Sequence, residues 1–234
     1  MKYLAIPDVH GRDKWKAPCK AFREEHPDGF IIFLGDYNDA YGISDEDMVN
    51  NFADIILFKE QNPSSVILLL GNHCFPYLSH HYSCSGNRHS IWNALHLLYT
   101  ANLHLFQLAY QDGNTLFVHA GLAKNWLEYN SVLIERQVGG HADINYAGML
   151  NSLFNSPERA LLYQVGRVHG GYDAYDGPLW VRPSQLLNDL PLNLHQVVGH
   201  THMPHVVKEE RGDSSVTFTD CMGNADWQPL IIDL

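Results

Sequence analysis

The chain is short of cysteine, of cations and of long apolar runs, and each shortage narrows what it can be. Four cysteines in 234 residues, Cys19, Cys74, Cys84 and Cys221, form no Cys-x-x-Cys pair. They are too sparse for a disulfide framework, so reduced thiols are expected. Fifteen Lys and Arg stand against 26 Asp and Glu, a net charge of -11. Such a surface has nothing to offset phosphate repulsion, which argues against binding duplex nucleic acid. The opening apolar stretch, Tyr3 to Ile6, stops at Asp8 and His10, far short of a signal peptide or a membrane span. No membrane partner is expected, a cytoplasmic location is, and oligomeric state is left open. An apolar fraction of 45% is ordinary, and 234 residues can fill one α/β core, so the chain reads as a single domain over 1–234.

What is present is a series of short runs rich in β-branched or aromatic residues: Tyr3 to Ile6, Phe30 to Leu34, Val66 to Leu70, Leu116 to Val118 and Gln196 to Val198. Each reads as a buried strand. Between the second and third, Ser44 caps a helix running to Gln61, with Met48, Phe52, Ile55, Ile56 and Lys59 at a near 3.6 period. A first helix is predicted between Asp13 and Glu25, with Pro18 near its start or kinking it. Turn chemistry at Asp112-Gly113 predicts a hairpin from Leu103–Tyr110 to Thr115–Val118. A second joins Val206–Glu209 to Ser215–Thr219 across Arg211-Gly212-Asp213, before a closing strand at Leu230 to Asp233. Ser156-Pro157-Glu158 reads as another helix start.

A polar cluster follows each of the five runs: Asp8-Val9-His10-Gly11, Gly35-Asp36 with Asp39, Gly71-Asn72-His73, His119-Ala120-Gly121 and Gly199-His200-Thr201-His202. Carboxylate, amide oxygen and neutral imidazole are donors for divalent metals of intermediate hardness. On extended backbone Asp8 and His10 share a side, and so do His200 and His202. Asp36 can bridge two cations at the roughly 3.5–4 Å spacing that in-line displacement needs. Asn72 offers a neutral oxygen, while His73 beside it points elsewhere and is left for proton transfer. His119 and His200 are neutral donors for a second ion. Neither a serine nor a cysteine nucleophile stands in a recognisable setting.

This ordered set resembles the calcineurin-like metallophosphoesterase superfamily, and the resemblance spans almost the whole chain. It implies an α/β fold of two facing mixed β-sheets flanked by helices, a four-layer sandwich with a dinuclear site at strand C-termini. It implies that Asp8, His10, Asp36 and His202 hold one divalent ion, and that Asp36, Asn72, His119 and His200 hold the other. Manganese is the expected metal, and iron, zinc or cobalt also suit the donors. Leu179-Trp180-Val181-Arg182 resembles the tryptophan-x-arginine segment of the bacterial and phage serine/threonine phosphatases and diadenosine tetraphosphatases. That likeness makes Arg182 a phosphate clamp, with Asn72 and His73 also at the substrate, and makes Asp39 the group that orients His73 as general acid.

The chain also departs from that pattern. Ala40-Tyr41-Gly42 stands where an arginine is usual after Asp39, leaving Arg12 or Arg88 as substitutes; Pro7 replaces a glycine and Cys74 an acidic residue. The subgroup has proline where His202 stands. The implied reaction is hydrolysis of a phosphate monoester, a phosphoprotein or a small ester, by a hydroxide that the metals generate. The alternatives are a nucleotide pyrophosphatase or phosphodiesterase, such as a dinucleoside polyphosphate hydrolase, and a non-catalytic interaction module. Substrate choice is expected to reside in inserts at about 75–110 and 123–179. Trp92, Tyr99, Trp126, Tyr129, Tyr163, Tyr172 and Tyr175 there can pack the core or stack a base. His80, His81 and His89 match no strong metal template.

Overall fold

The computed structural model describes residues 1–138, 145–168 and 170–234. They form two compact units, Met1–Phe106 with Cys221–Leu234, and Gln107–Asp220. In the first unit the apolar runs form β1 (Lys2–Ile6), β2 (Phe30–Phe33) and β3 (Val66–Leu69). They are parallel, with Tyr3 opposite Phe30 and Ile31 opposite Val66. Leu4, Ala5, Ile31, Ile32, Leu68 and Leu69 are all fully buried, so both faces of the sheet are covered. That is why these strands read as continuous apolar runs rather than alternating ones. β4 (Phe106–Gln107) follows β3 in the sheet, and the closing strand Leu230–Asp233 pairs antiparallel with β1 at the other edge.

α1 (Lys16–Glu25) carries Pro18 in its first turn, where the missing N–H has no helical partner to lose. α2 (Asp45–Gln61) starts at Ser44, whose Oγ accepts the Asp47 N–H at 3.0 Å. It buries Met48, Phe52, Ile55 and Ile56. Phe52 packs on Tyr99 at 4.4 Å and Tyr37 at 5.4 Å between ring centroids. Tyr37 in turn donates its hydroxyl to the Leu69 carbonyl at 2.7 Å. This aromatic layer underlies the loop after β2. α3 (Phe75–Leu78) and α4 (Trp92–Ala101) complete the unit's helices.

In the second unit β5 (Ala109–Asp112) and β6 (Thr115–Val118) form a hairpin across Gly113-Asn114. The expected longer first arm does not form. Leu103–Leu105 is a 3₁₀ turn, and the Asn151 side-chain oxygen accepts the Leu108 and Ala109 N–H groups at 2.7 and 3.2 Å, so the ladder begins only at Ala109, opposite Val118. α5 (Lys124–Tyr129), α6 (Ser131–Val138) and α7 (Tyr146–Phe154) follow, Asn151 lying on α7. Residues Pro157–Tyr163 form a 3₁₀ helix rather than an α-helix, started by Ser156 Oγ accepting the Glu158 N–H at 3.1 Å. α8 (Pro183–Leu186) precedes β7 (His195–Val198), β8 (Val207–Arg211) and β9 (Ser214–Phe218). β6, β7 and β9 are parallel, and β8 and β9 pair antiparallel across Gly212-Asp213.

Each unit therefore holds one mixed five-stranded sheet with helices beside it. In each, parallel strands bring their C-terminal ends to one edge, where ligand sites of α/β sheets gather. Among the described residues no helix is long and apolar enough to cross a membrane.

Candidate metal centre

In the first unit, the loops leaving β1 and β2 are laced together. His10 donates its N–H to the Asp36 carbonyl at 2.8 Å, and Gly11 to that of Tyr37 at 2.7 Å. The lacing requires left-handed backbone at His10 (φ 45°), Asp36 (φ 48°) and Asp39 (φ 72°). Residues with a Cβ pay roughly 1–2 kcal/mol each in that region, and such outliers concentrate at functional sites. The extended geometry from which Asp8 and His10 were expected to share a side is therefore absent. The turn brings them together by another route, with His10 Nε2 at 3.9 Å from an Asp8 carboxylate oxygen.

Asp8, His10 and Asp36 each present a ligand atom within 4.8 Å of the other two, and both aspartates are 1% exposed. Two like charges at that depth are costly unless a cation joins them. His10 Nδ1 faces the Asn38 carbonyl at 2.6 Å. That hydrogen bond puts the proton on Nδ1 and makes Nε2 the electron-pair donor, the usual device for orienting a metal-binding histidine. Burial lowers the His10 pKa below its ordinary value, against the Asp36 carboxylate, which raises it. The neutral form, the one that ligates, is favoured. These donors fit a divalent metal ion of intermediate hardness.

Asn72, just past β3, is 2% exposed. His73 donates its N–H to Asp36 Oδ1 at 2.8 Å, which ties the third loop to the carboxylate of the second. Its ring turns the other way, with Nδ1 at 2.9 Å from Asp39 Oδ2. Tyr77, on α3, donates its hydroxyl to the other Asp39 oxygen. The Asp39 side chain is 0% exposed, so this carboxylate is fixed by partners on both oxygens. Arg88 reaches the position of the missing arginine, but its guanidinium is occupied by Asp45 at 2.6 Å and by the Ala40 carbonyl. Arg12 donates to the Val9 carbonyl at 3.3 Å.

In the second unit, Gly199 at the end of β7 donates to the His119 carbonyl at 2.8 Å, joining the loops after β6 and β7. The His119 and His200 rings meet edge to face at 5.0 Å, and both residues are buried. His200 Nε2 lies 3.0 Å from the Trp180 carbonyl, which puts the proton on Nε2 and the lone pair on Nδ1. His200 also has left-handed backbone, φ 62°. This breaks the alternation that put His202 on its side: His202 is exposed and joins no group of converging His, Cys, Asp or Glu among the described residues. Arg182 donates Nε to the Gly170 carbonyl at 2.8 Å, and Nη1 to the His200 carbonyl and Thr201 Oγ1, both at 3.1 Å.

Tyr77, Asn38 and Thr201 have no sequence signal for their part in this arrangement. Tyr77 lies in the apolar tetrapeptide Phe75-Pro76-Tyr77-Leu78, which reads as packing alone. Of the aromatics in the two inserts, Tyr99 and Trp126 are core, and Trp92 is sandwiched between His80 and His96 at 3.7 and 4.5 Å. Tyr129, Tyr172 and Tyr175 are exposed. His80, His81 and His89 enter no converging group among the described residues.

The model of the calcineurin-like phosphoesterase family matches residues 1–204. No curated protein matches the sequence. In backbone the chain is similar to the cold-active protein-tyrosine phosphatase of the psychrophile Shewanella sp., with 18% identity over 99% of this chain and 75% of that one, at a TM-score of 0.60. A protein proposed to be a diadenosine tetraphosphatase is similar over 94% of this chain and 83% of its own, with 13% identity and a TM-score of 0.50. At these identities the likeness concerns the fold.

Proposed function

The chain belongs to the calcineurin-like phosphoesterases and is a metal-dependent phosphoester hydrolase, and on that premise we propose that it cleaves a phosphate monoester, carried by a protein or a small molecule. The observation that carries this reading is the convergence of Asp8, His10 and Asp36, with His73 hydrogen-bonded to Asp36 through its backbone and to Asp39 through its ring. We assign Asp8, His10, Asp36 and His202 to one divalent ion, and Asp36, Asn72, His119 and His200 to the other; His202 rests on the family resemblance alone. Two such ions supply the Lewis acidity that makes a water nucleophile available near neutral pH and polarises the phosphoryl oxygens.

The chain's own residues do the rest. Asp39 accepts the Nδ1 proton of His73, and its charge favours the doubly protonated imidazolium, whose Nε2–H is the proton donor for the departing oxygen. Tyr77 keeps Asp39 from rotating. Arg182 has its Nε and Nη1 committed to protein acceptors, and among the described residues Nη2 has none, so it presents one end of a positioned guanidinium to a phosphoryl oxygen. Asn72 contributes its amide to the same oxygens. We assign the chain to a reducing, cytoplasmic compartment, in which its four cysteines stay as thiols.

One feature favours a nucleotide substrate as the second reading. Exposed Tyr129 and Tyr175, 5.0 Å apart, line a cavity of about 570 Å³ together with Arg167 and Asp173, a setting suited to stacking a base. The test is a panel of an aryl monoester, an aryl diester and a dinucleoside polyphosphate, assayed after chelation and again with manganese restored. Manganese-dependent cleavage of the monoester is expected. Inertness toward all three with metal bound refutes a catalytic role, and preference for the dinucleotide selects the second reading.

A further inference from the structure

The His73–Asp39 pair has a third neighbour that its role in proton transfer does not use. Cys84 Sγ lies 3.2 Å from His73 Nδ1 and 3.7 Å from Asp39 Oδ2, while Nδ1 and Oδ2 are 2.9 Å apart. Three ligands of a tetrahedral zinc ion, at bond lengths of roughly 2.3 Å to sulfur and 2.0 Å to nitrogen and oxygen, stand about 3.3–3.6 Å from one another. The observed triangle is within a few tenths of an ångström of one face of that tetrahedron. Its carboxylate is already steadied by the Tyr77 hydroxyl on the far oxygen, as ligating carboxylates are. The fourth vertex is within reach of solvent, because Cys84 is only half-buried and Ser83 and Ser85 on either side are exposed.

We propose that Asp39, His73 and Cys84 form a separate, inhibitory site for a thiophilic dication such as zinc, distinct from the catalytic metals. Thiolate, imidazole and carboxylate together favour zinc or cadmium over manganese, which the sulfur-free donors of the catalytic centre accept. On binding, the thiol proton and the Nδ1 proton of the His73 imidazolium both leave to solvent, and Nε2 keeps its own. The coordinated ring is then a neutral imidazole and gives up its proton far less readily than an imidazolium. Asp39, now a ligand, no longer orients it. Without a metal, burial and the adjacent Asp39 carboxylate hold the Cys84 sulfur as a thiol, which is a poor nucleophile; a bound dication replaces that proton. The inhibition, though not the binding, rests on the acid role given to His73.

Cadmium titrated into the manganese-loaded full chain tests binding without reference to turnover. Only a thiolate ligand produces the sulfur-to-cadmium ultraviolet band, and Cys19, Cys74 and Cys221 are buried. One equivalent of band is expected in the wild type, suppressed by competing zinc and absent in Cys84→Ser and Cys84→Ala. Zinc should inhibit the wild type at concentrations about 10-fold or more below those needed for either variant, each rate taken relative to its own zinc-free value. No band in the wild type, or an undiminished band in both variants, overturns the site. A cysteine-dependent band in a protein whose zinc sensitivity is unchanged by the substitutions keeps the site but refutes its inhibitory role. A band without any phosphoesterase activity leaves the site standing and removes the catalytic reading.

Discussion

Replacing His73 by asparagine should produce a deficit whose size depends on the leaving group. The Asp39 carboxylate, fully enclosed and held on both oxygens, fixes His73 Nδ1 at 2.9 Å, so Nε2 is the nitrogen placed to deliver a proton. A positioned general acid contributes about 10²–10⁴ in rate, or about 3–5 kcal/mol at about 1.4 kcal/mol per decade. That contribution is needed only where the departing oxygen is basic. With an alkyl phosphate, His73→Asn should therefore lose about 10²–10⁴ in kcat, and with a 4-nitrophenyl ester about 10-fold or less. Asp39→Asn keeps the hydrogen bond but lacks the charge that favours the imidazolium, so its loss should fall between these limits. The double variant should be no slower than His73→Asn alone, since both changes act through one ring. Steady-state kinetics on the two esters, with metal content measured in parallel, decides the matter. An equal loss on both esters, or full activity in His73→Asn, refutes the acid.

Three other perturbations reach parts of the structure away from that ring. Phe52→Ala removes the hub of the aromatic layer beneath the β2 loop and should cost about 3–5 kcal/mol in chemical denaturation; a loss under about 1 kcal/mol would mean the layer is loosely packed. Gly171→Ala places a methyl group against the Trp180 carbonyl at a φ of 91°, and should lower both the melting temperature and kcat/KM, because the Gly171 carbonyl accepts the Arg182 N–H at 2.8 Å. Unaltered kinetics would detach that loop from phosphate binding. His195 has its pKa lowered by burial, and then by Lys208, from the ordinary 6.5. The unfolded chain therefore binds the proton more readily, so its contribution is intact above about pH 6.5 and is lost as pH falls below it. His195→Gln should flatten the acid-side slope of denaturation midpoints, and an identical slope would exclude His195.

The strands and the order of the polar clusters were legible because a sheet covered on both faces demands unbroken apolar runs, as in Ile31-Ile32-Phe33, and the chain must turn where these stop. The α2 cap was legible for a similar reason, since Ser44 needs only the Asp47 N–H three residues on. What escaped notice depends on distant partners. Nothing near Leu108 announces that the Asn151 oxygen will accept its N–H. Extended backbone would put His10 beside Asp8 and His202 beside His200, but the left-handed turns at His10 and His200 are set by hydrogen bonds to other loops. Tyr77 and Cys84 meet Asp39 across 38 and 45 residues of chain, beyond the reach of any local pattern.

The left-handed backbone at His10, Asp36, Asp39 and His200 has a bearing on how this protein can be engineered. Glycine would relieve the torsional penalty at every one of these positions, so a screen that rewards thermal tolerance alone would drift toward glycine there and select well-folded, inert variants. Any stabilisation campaign on this scaffold should hold those four codons fixed.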